Sequence, residues 1–252
     1  MTMELIKIAL GDYPRYEELL LRKDKFEKEA LQWYDEYIRV FGKYLIDLFE
    51  IKVECIRLKK LISLAQAEIN QGFTPRMDKI NARVDELMKS YYDDLQKMIK
   101  DHEKSLGAKK LPEHVILKIK KIYREIAKIL HPDINQETQK DPELLDLWNR
   151  VVIAYKCNHL EEIEELQVLI NNALSEKGID VAKIVIPNIE EKIKKLEEKI
   201  NEIITTDPYN YKFLLEDEEE TAQRIKDLED EKNQYIDYKQ ELESILNELT
   251  GE

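Results

Sequence analysis

The stretch IKVECIRLKKLISLAQAEI, residues 51–69, sets the fold class, because its apolar residues are spaced alternately four and three apart. Residues 80–91 repeat this spacing after a break at Gly72 and Pro75. A four-three repeat places one apolar stripe along a helix and is typical of coiled coils. The two stretches therefore predict an antiparallel helical hairpin. The predicted stripe contains Ile51, Cys55, Leu58, Ile62, Ala65 and Ile69, followed by Ile80, Val84, Leu87 and Tyr91.

The C-terminal part of the chain carries a second pair of such stretches. Apolar residues recur with helical spacing over 189–203 and again over 225–249. The residues between them, 205–210, include Pro208 and read as a turn. We therefore predict a second antiparallel coiled-coil hairpin, and an all-α fold of long hairpins.

Glycine and proline are scarce throughout the chain. The 252 residues contain 6 glycines and 7 prolines, whereas average usage would give about 30 of the two together. β-Sandwiches, dinucleotide-binding folds and phosphate-binding loops all need glycine-rich turns, so these classes are excluded. Most of the glycines and prolines mark predicted breaks between helices, including Gly11 with Pro14 and Gly178 with Pro187.

The sequence offers little for catalysis or cofactor binding. Its two cysteines, Cys55 and Cys157, form no CxxC pair, so neither a disulfide framework nor a zinc finger is predicted. No positioned nucleophile or phosphate-binding loop is recognisable. We therefore expect a protein that is not an enzyme and that has no metal and no cofactor.

Hydropathy and charge indicate where the chain acts. No stretch approaches 18 uncharged apolar residues, and Glu4 and Lys7 interrupt the N-terminal apolar run. We therefore expect a cytoplasmic protein without a membrane partner. The formal net charge of −13 argues against general nucleic-acid binding.

The segment PEHVILKIKKIYREIAKIL, residues 112–130, has the pattern of an amphipathic helix. Its apolar stripe runs through Tyr123. The helix must stop at His131, because Pro132 disfavours the helical conformation for the residue before it. Asp141-Pro142 is a start signal for the next helix. The sequence thus predicts two helices joined by a loop that contains His-Pro-Asp.

Charge is distributed unevenly around this helix. Residues 104–128 carry eight basic and two acidic side chains, whereas residues 181–252 carry 10 basic and 20 acidic ones. A basic segment in an acidic protein indicates an acidic partner. A solvated helix face accounts for the charge equally well.

The segment resembles the J-domain family, the DnaJ-type co-chaperones, over residues 107–157. Members of that family share a tyrosine-basic pair, a His-Pro-Asp loop and a later aromatic-x-x-aliphatic-x-x-Ala-Tyr pattern. The matching residues here are Tyr123, Arg124, Ile126, Ala127, Lys128, His131, Pro132, Asp133, Asn135, Trp148, Val151, Ala154 and Tyr155.

The resemblance implies a mechanism. In the family, the loop and the basic helix dock on a DnaK-type heat-shock chaperone and stimulate its ATP hydrolysis. By position, Asp133 would make a charged contact, while His131 and Pro132 would hold the loop's shape. The residues implied to bind the chaperone are His131, Pro132, Asp133, Asn135, Lys120, Lys121, Arg124 and Lys128. The residues implied to form the core of the segment are Leu106, Tyr123, Ile126, Ala127, Leu130, Trp148, Val151, Ala154 and Tyr155.

The sequence departs from the family at three places. Residues 101–107 keep the Asp, Leu and Gly of the family's first helix but lack its two aromatics, which suggests a helix fused into the upstream coiled coil. Glu125 and Ile134 stand where basic residues are common. We predict three parts: an N-terminal helical hairpin over 1–100, a J-domain-like segment over 101–160, and a linker helix with an acidic hairpin over 161–252.

Several alternatives stay open at this stage. The main one is a structural or adaptor coiled-coil protein whose J-like segment is inactive, and the departures at Glu125 and Ile134 favour it. A metal site built from His131, Asp133, Cys157 and His159 is weaker, because no two of them have the i, i+4 helical spacing. An RNA-binding helix over 118–128 lacks interleaved aromatics. The arms would bind a client or adaptor protein, or pair in a homodimer.

Overall fold

The computed structural model describes residues 3–107, 111–177 and 188–251, with side chains from Pro14 onward. All regular secondary structure in these ranges is helical, so the prediction of an all-α protein is confirmed. The helices are α1 (Met3–Asn70), α2 (Met77–Gly107), α3 (Glu113–Leu130), α4 (Gln136–Lys140), α5 (Pro142–Lys156), α6 (Leu160–Lys177), α7 (Ile189–Thr205), α8 (Tyr211–Glu216) and α9 (Glu218–Thr250).

The chain forms two compact units, and each is assembled from separate stretches. The first unit comprises Met1–Leu31 and Lys109–Tyr209, and the second comprises Gln32–Ala108 and Asn210–Glu252. Helix α1 therefore contributes its beginning to one unit and the rest to the other. The predicted division at residues 100 and 160 stays a prediction, and the boundaries of the two units lie elsewhere.

The main core of the first unit lies between α3, α5 and α6. Eight of the nine residues implied as the core of the J-like segment are buried here: Tyr123, Ile126, Ala127, Leu130, Trp148, Val151, Ala154 and Tyr155. Leu106 is the exception. It is 58% exposed at the end of α2, in the second unit, so its assignment to this core was wrong. Without the two family aromatics beside it, this stretch lacks the large apolar side chains that would fix it on α3 and α5.

A second apolar cluster in the first unit joins α1, α7 and the loop after α3. Tyr16, Leu19 and Leu20 of α1 pack with Ile134 and with the buried isoleucines of α7. Ile134, which replaces a residue that is often basic in the J-domain family, is 1% exposed. Its apolar side chain therefore fixes the loop to the body of the first unit.

In the second unit, α2 runs antiparallel to α1 and α9 runs parallel to it. Arg57 of α1 lies 3.4 Å from Asp85 of α2, whereas the backbone oxygen of Ile38 lies 2.9 Å from His102 Nδ1. On the other side, Lys232 of α9 pairs with Asp47 at 2.9 Å, and Lys239 pairs with Glu54. Both members of these two pairs advance by seven residues, which gives the direction of α9.

Gly42 lies at a close approach between α1 and α2. A Cβ atom at this position would overlap the ring of His102. The imidazole Nδ1–H donates to the Ile38 oxygen, and Ser105 Oγ donates to the Asp35 oxygen at 2.5 Å. A glycine within a long periodic segment is therefore explained by helix packing.

Two predicted features of the helix layout are not seen. The stretch 189–203 buries its isoleucines against the start of α1, whereas Leu228 of α9 packs against Phe41 and Leu48. The predicted second hairpin is therefore not confirmed, because periodicity fixes which face is buried but not which helix covers it. The break predicted at Gly11 and Pro14 was wrong, since α1 runs through both, and proline within a helix can kink it without ending it. The break predicted at 178–187 lies outside the described residues.

Across residues 3–107, 111–177 and 188–251, none of the helices is both long enough and apolar enough to cross a membrane.

Candidate functional site

Helix α3 carries the candidate site at its C-terminal end. The helix ends at Leu130, and His131 is extended with ψ of 127°, as expected for a residue before proline. The His131 backbone N–H still donates to the Ala127 oxygen at 3.0 Å, which closes the last turn. The predicted end of this helix is confirmed.

His131 is buried and stabilises the loop from inside. Its Nδ1 accepts a hydrogen bond from the Asp133 backbone N–H at 3.1 Å, and its ring lies edge-on to Trp148 with centroids 4.7 Å apart. The Ile134 and Asn135 N–H groups both donate to the His131 oxygen. Burial lowers the pKa of His131 below its usual value, against the opposing charges of Asp24 and Asp133. An unprotonated Nδ1 with the proton on Nε2 is the tautomer that this geometry requires.

Asn135 is also directed inward, at 2% exposure. Its Nδ2 donates to the Ile129 oxygen at 3.0 Å, and its Oδ1 accepts from the Glu137 N–H at 3.1 Å. The second bond caps α4, a short helix in a stretch predicted as loop. Asp141 then caps α5 as predicted, accepting from the Glu143 and Leu144 N–H groups.

In this loop the side chains of Pro132 and Asp133 are half-buried, whereas those of Ile134 and Asn135 are buried. The Asp133 carboxylate accepts no hydrogen bond from the part of the chain that the structure describes. Its charge acts on Tyr16 of α1, where burial and then Asp133 raise the pKa of the hydroxyl. Asp133 thus presents a carboxylate without a donor among the described residues, on a loop in which His131, Ile134 and Asn135 are held by internal contacts.

The outer face of α3 is cationic. Lys121, Arg124 and Lys128 are exposed and Lys120 is half-buried. Lys128 pairs with Glu17 of α1 at 3.0 Å, whereas Lys121 and Arg124 make no ion pair with any described residue. Glu125 on the same helix accepts a hydrogen bond from Gln167 of α6 at 2.9 Å, which directs its carboxylate toward α6.

Asp24 and Lys28 of α1 are part of this site, and sequence reasoning missed both. The Tyr123 hydroxyl donates to Asp24 at 2.6 Å, and Lys28 Nζ donates to the Tyr155 oxygen at 2.6 Å. Tyr123 and Tyr155 stack with centroids 3.9 Å apart, and the Lys28 ammonium lies 3.9 Å from the Tyr155 ring centroid. Burial, followed by the charge of Lys120, lowers the pKa of Lys28 to about 8. These contacts fix α1 against α3 and α5.

A sequence signal for these two residues exists in retrospect. Tyr16, Leu20, Asp24 and Lys28 recur every four residues, so two charged residues continue an apolar stripe. Charges on a buried stripe must be paired or hydrogen-bonded, which indicates a specific partner elsewhere in the chain. The pattern does not show that the partners are two tyrosines, 99 and 127 residues away.

The structure thus gathers the eight implied chaperone-binding residues on α3, from Lys120 onward, and on the loop that follows it. Six of them have side chains that are at least partly exposed, and His131 and Asn135 do not. Both were counted among the partner-binding residues, and His131 was also expected to hold the loop's shape. The His131 Nδ1 and both polar atoms of the Asn135 side chain are engaged within the chain. They act on the shape of the loop.

The alternative metal site gains nothing from the described residues, where no three His, Cys, Asp or Glu side chains cluster closely enough to hold an ion. His159, which directly precedes α6, has its Nδ1 3.2 Å from Glu162 in the first turn of that helix. The His131 Nδ1 is already engaged by a backbone N–H.

No family model matches the chain, and neither a curated protein nor a solved structure is significantly similar to it.

Proposed function

We propose that this protein is a J-domain-like co-chaperone, which docks on a DnaK-type heat-shock chaperone and stimulates its ATP hydrolysis. The observation that carries the proposal is the arrangement at the end of α3. Asp133 presents a carboxylate that accepts no hydrogen bond from the described residues, directly after a helix face that carries Lys121, Arg124 and Lys128. This combination of one anion and several cations suits a partner of matching, mixed charge.

The internal bonding of the loop supports binding without a large ordering cost. Pro132 fixes one backbone torsion, and the His131 side chain and oxygen together accept three backbone N–H groups. A loop held in one conformation before binding loses less conformational entropy on contact. This is a positioning role for His131.

The cationic face supports fast encounter with an acidic surface. The chain as a whole has a net charge of −13, so the positive potential of α3 is local. Rim charges of this kind act mainly on the association rate and on its salt dependence. We therefore expect docking to weaken as ionic strength rises.

For the second unit we propose coiled-coil arms that bind a client or an adaptor. The parallel pairs Lys232–Asp47 and Lys239–Glu54 are spaced by one heptad on both helices. The half-buried Tyr235 lies between the two lysines in the sequence and packs against the apolar cluster of Phe41, Leu48 and Leu228. This register supports the coiled-coil part of the prediction.

The alternative function, an adaptor with an inactive J-like segment, has one observation in its favour. Ile134, next to Asp133, is buried in the cluster with Tyr16 and α7. A residue that serves the core cannot also supply the positive charge that is common there in the J-domain family. An adaptor would bind its partner without involving Asp133.

The two functions are separated by single-turnover ATP hydrolysis on the DnaK-type chaperone of the same genome. We expect the full chain to accelerate hydrolysis on the order of ten-fold, and Asp133→Asn to abolish the acceleration. Asp146→Asn is the matched control, since Asp146 is an exposed aspartate on α5.

Three results would count against the proposal: no acceleration by the folded wild-type chain, equal acceleration by Asp133→Asn, or equal loss in the Asp146→Asn control. An affinity capture that recovers one partner equally well with wild type and Asp133→Asn would support the adaptor instead.

A further inference from the structure

We infer that α1 forms the second wall of the chaperone-binding surface, and that Lys25 on α1 takes part in recognising an acidic segment of the chaperone. This rests on the proposed function and extends it to a helix that lies outside the J-like segment. The sequence separates Lys25 from the α3 cations by almost 100 residues. The first unit brings them to one cleft.

The cleft lies between α1 and α3 and has an apolar floor with a basic rim. Five basic side chains and one acidic side chain line it. The residues that matter here are Leu21, Leu117 and Tyr123 on the apolar side, with Lys25, Lys121 and Arg124 on the basic side.

The wall formed by α1 is fixed in register by buried bonds on either side of Lys25. Asp24, directly before it, accepts from Tyr123, and Lys28, one turn later, donates to the Tyr155 oxygen. Both bonds are buried, and a buried polar group that loses its partner is strongly destabilising. The position of Lys25 relative to α3 therefore follows from contacts that the fold cannot easily exchange.

Lys25 itself is available to a partner. Its side chain is 46% exposed. It pairs with Glu29 at 3.5 Å, one turn along the same helix, and its ammonium lies 5.6 Å from the Phe26 ring centroid. An exposed pair of this kind contributes little and is readily rearranged. Lys121 and Arg124 on the opposite wall make no ion pair with the described residues, so the cleft has an unbalanced positive charge.

The floor of the cleft adds a requirement for apolar contact. Leu117, on the exposed side of α3, is 56% exposed. A basic rim around an exposed leucine fits an acidic segment that carries an apolar side chain, rather than a bare anion. The occupant we assign is therefore an acidic, partly apolar segment of the chaperone.

The experiment measures the affinity of the full-length protein for the DnaK-type chaperone by fluorescence anisotropy at low and at moderate salt. Lys25→Glu tests the α1 wall and Leu117→Ser tests the floor. Arg22→Glu is the matched control, because Arg22 is an exposed cation on the same helix that does not line the cleft. Thermal melts and gel filtration of each variant verify that fold and oligomeric state are retained.

We expect Lys25→Glu to weaken binding about five- to ten-fold at low salt and less at moderate salt. Leu117→Ser should weaken binding about three-fold at both salt concentrations, while Arg22→Glu stays within two-fold of wild type.

Wild-type binding with an unchanged Lys25→Glu affinity would overturn the inference and leave the proposed function standing. An absence of wild-type binding would overturn both. A change of oligomeric state in Lys25→Glu with unchanged chaperone affinity would assign the cleft to a second copy of the chain, and would also overturn the inference.

Discussion

The two stretches of α1 pack against their neighbours by different chemistry. In the first unit, Asp24 and Lys28 are buried and bond to Tyr123 and to the backbone of Tyr155. In the second unit, the pairs that join α1 to α9, such as Asp47 with Lys232, lie at the border of the apolar seam with about a third of each side chain exposed. One continuous helix therefore makes buried hydrogen bonds with its neighbours in one unit and borders its apolar contacts with partly exposed ion pairs in the other.

This difference shows which contacts fix the register between α1 and its neighbouring helices. A buried polar group has no substitute partner, so it fixes a register and is costly to break. An exposed ion pair competes with water and salt and contributes little. The unit that carries the candidate site is held in register by buried charged side chains of α1, Asp24 and Lys28, as expected where a loop and a cationic helix face must keep a fixed relation.

The largest expected effect comes from removing the buried anchor. Asp24→Ala leaves the Tyr123 hydroxyl buried without its acceptor, so we expect a loss of about 3 kcal/mol in the free energy of unfolding of the first unit. Asp47→Ala, on the same helix, should cost less than about 1 kcal/mol. Urea unfolding followed by tryptophan fluorescence measures both losses.

The two tryptophans make this comparison specific to each unit. Trp148 lies in the first unit and Trp33 in the second, so Trp33→Phe and Trp148→Phe backgrounds report one unit each. Equal losses for Asp24→Ala and Asp47→Ala would show that the two stretches of α1 do not differ in the way described.

A smaller effect is expected at the close approach in the second unit. Glycine to alanine within a helix ordinarily stabilises by up to about 1 kcal/mol. At Gly42 the new Cβ overlaps His102, so we expect Gly42→Ala to destabilise the second unit by about 2 kcal/mol. Gly107→Ala serves as the control, since a Cβ at Gly107 would have open space around it. A Gly42→Ala chain as stable as the Gly107→Ala chain would contradict the observed packing.

The smallest predicted effect is a difference in pH dependence between two lysines. The pKa of Lys28 is lowered to about 8 from 10.5, so between these values the unfolded chain binds more protons and stability rises with pH. Relative to Lys28→Met, wild type should gain about 1 kcal/mol between pH 8 and 9. The hydrogen bond to Glu54 raises the pKa of Lys239, so wild type relative to Lys239→Met should be flat over that interval. Urea midpoints at both pH values measure this, and a flat difference for Lys28→Met would refute the burial of its charge.

The sequence was sufficient for the parts of the fold that depend on local pattern. The amphipathic stripe of α3, its end before Pro132 and the Asp141 cap of α5 follow from residues close together in the chain, and each is confirmed. Which helix covers each apolar stripe could not be predicted from such local patterns. Helices α7 and α9 both carry apolar residues at helical spacing, and α1 is long enough to cover both, so nothing local shows that each packs against α1.

The same distinction applies to the candidate site. The loop and the cationic face could be predicted from the sequence, because a resemblance to a known motif placed them on adjacent residues. The roles of Asp24, Lys25 and Lys28 could not be predicted, because they depend on tyrosines and cations about 100 residues away or more. His131 and Asn135 were assigned to the partner because the motif contains them, whereas burial determines that they serve the loop.

Single-turnover ATP hydrolysis by the DnaK-type chaperone of the same genome, measured with full-length wild type and with Asp133→Asn, is the most direct test of the proposed co-chaperone function. We expect acceleration by wild type and none by Asp133→Asn, with both chains equally folded by thermal melt. Acceleration by both chains, or by neither, would refute this function.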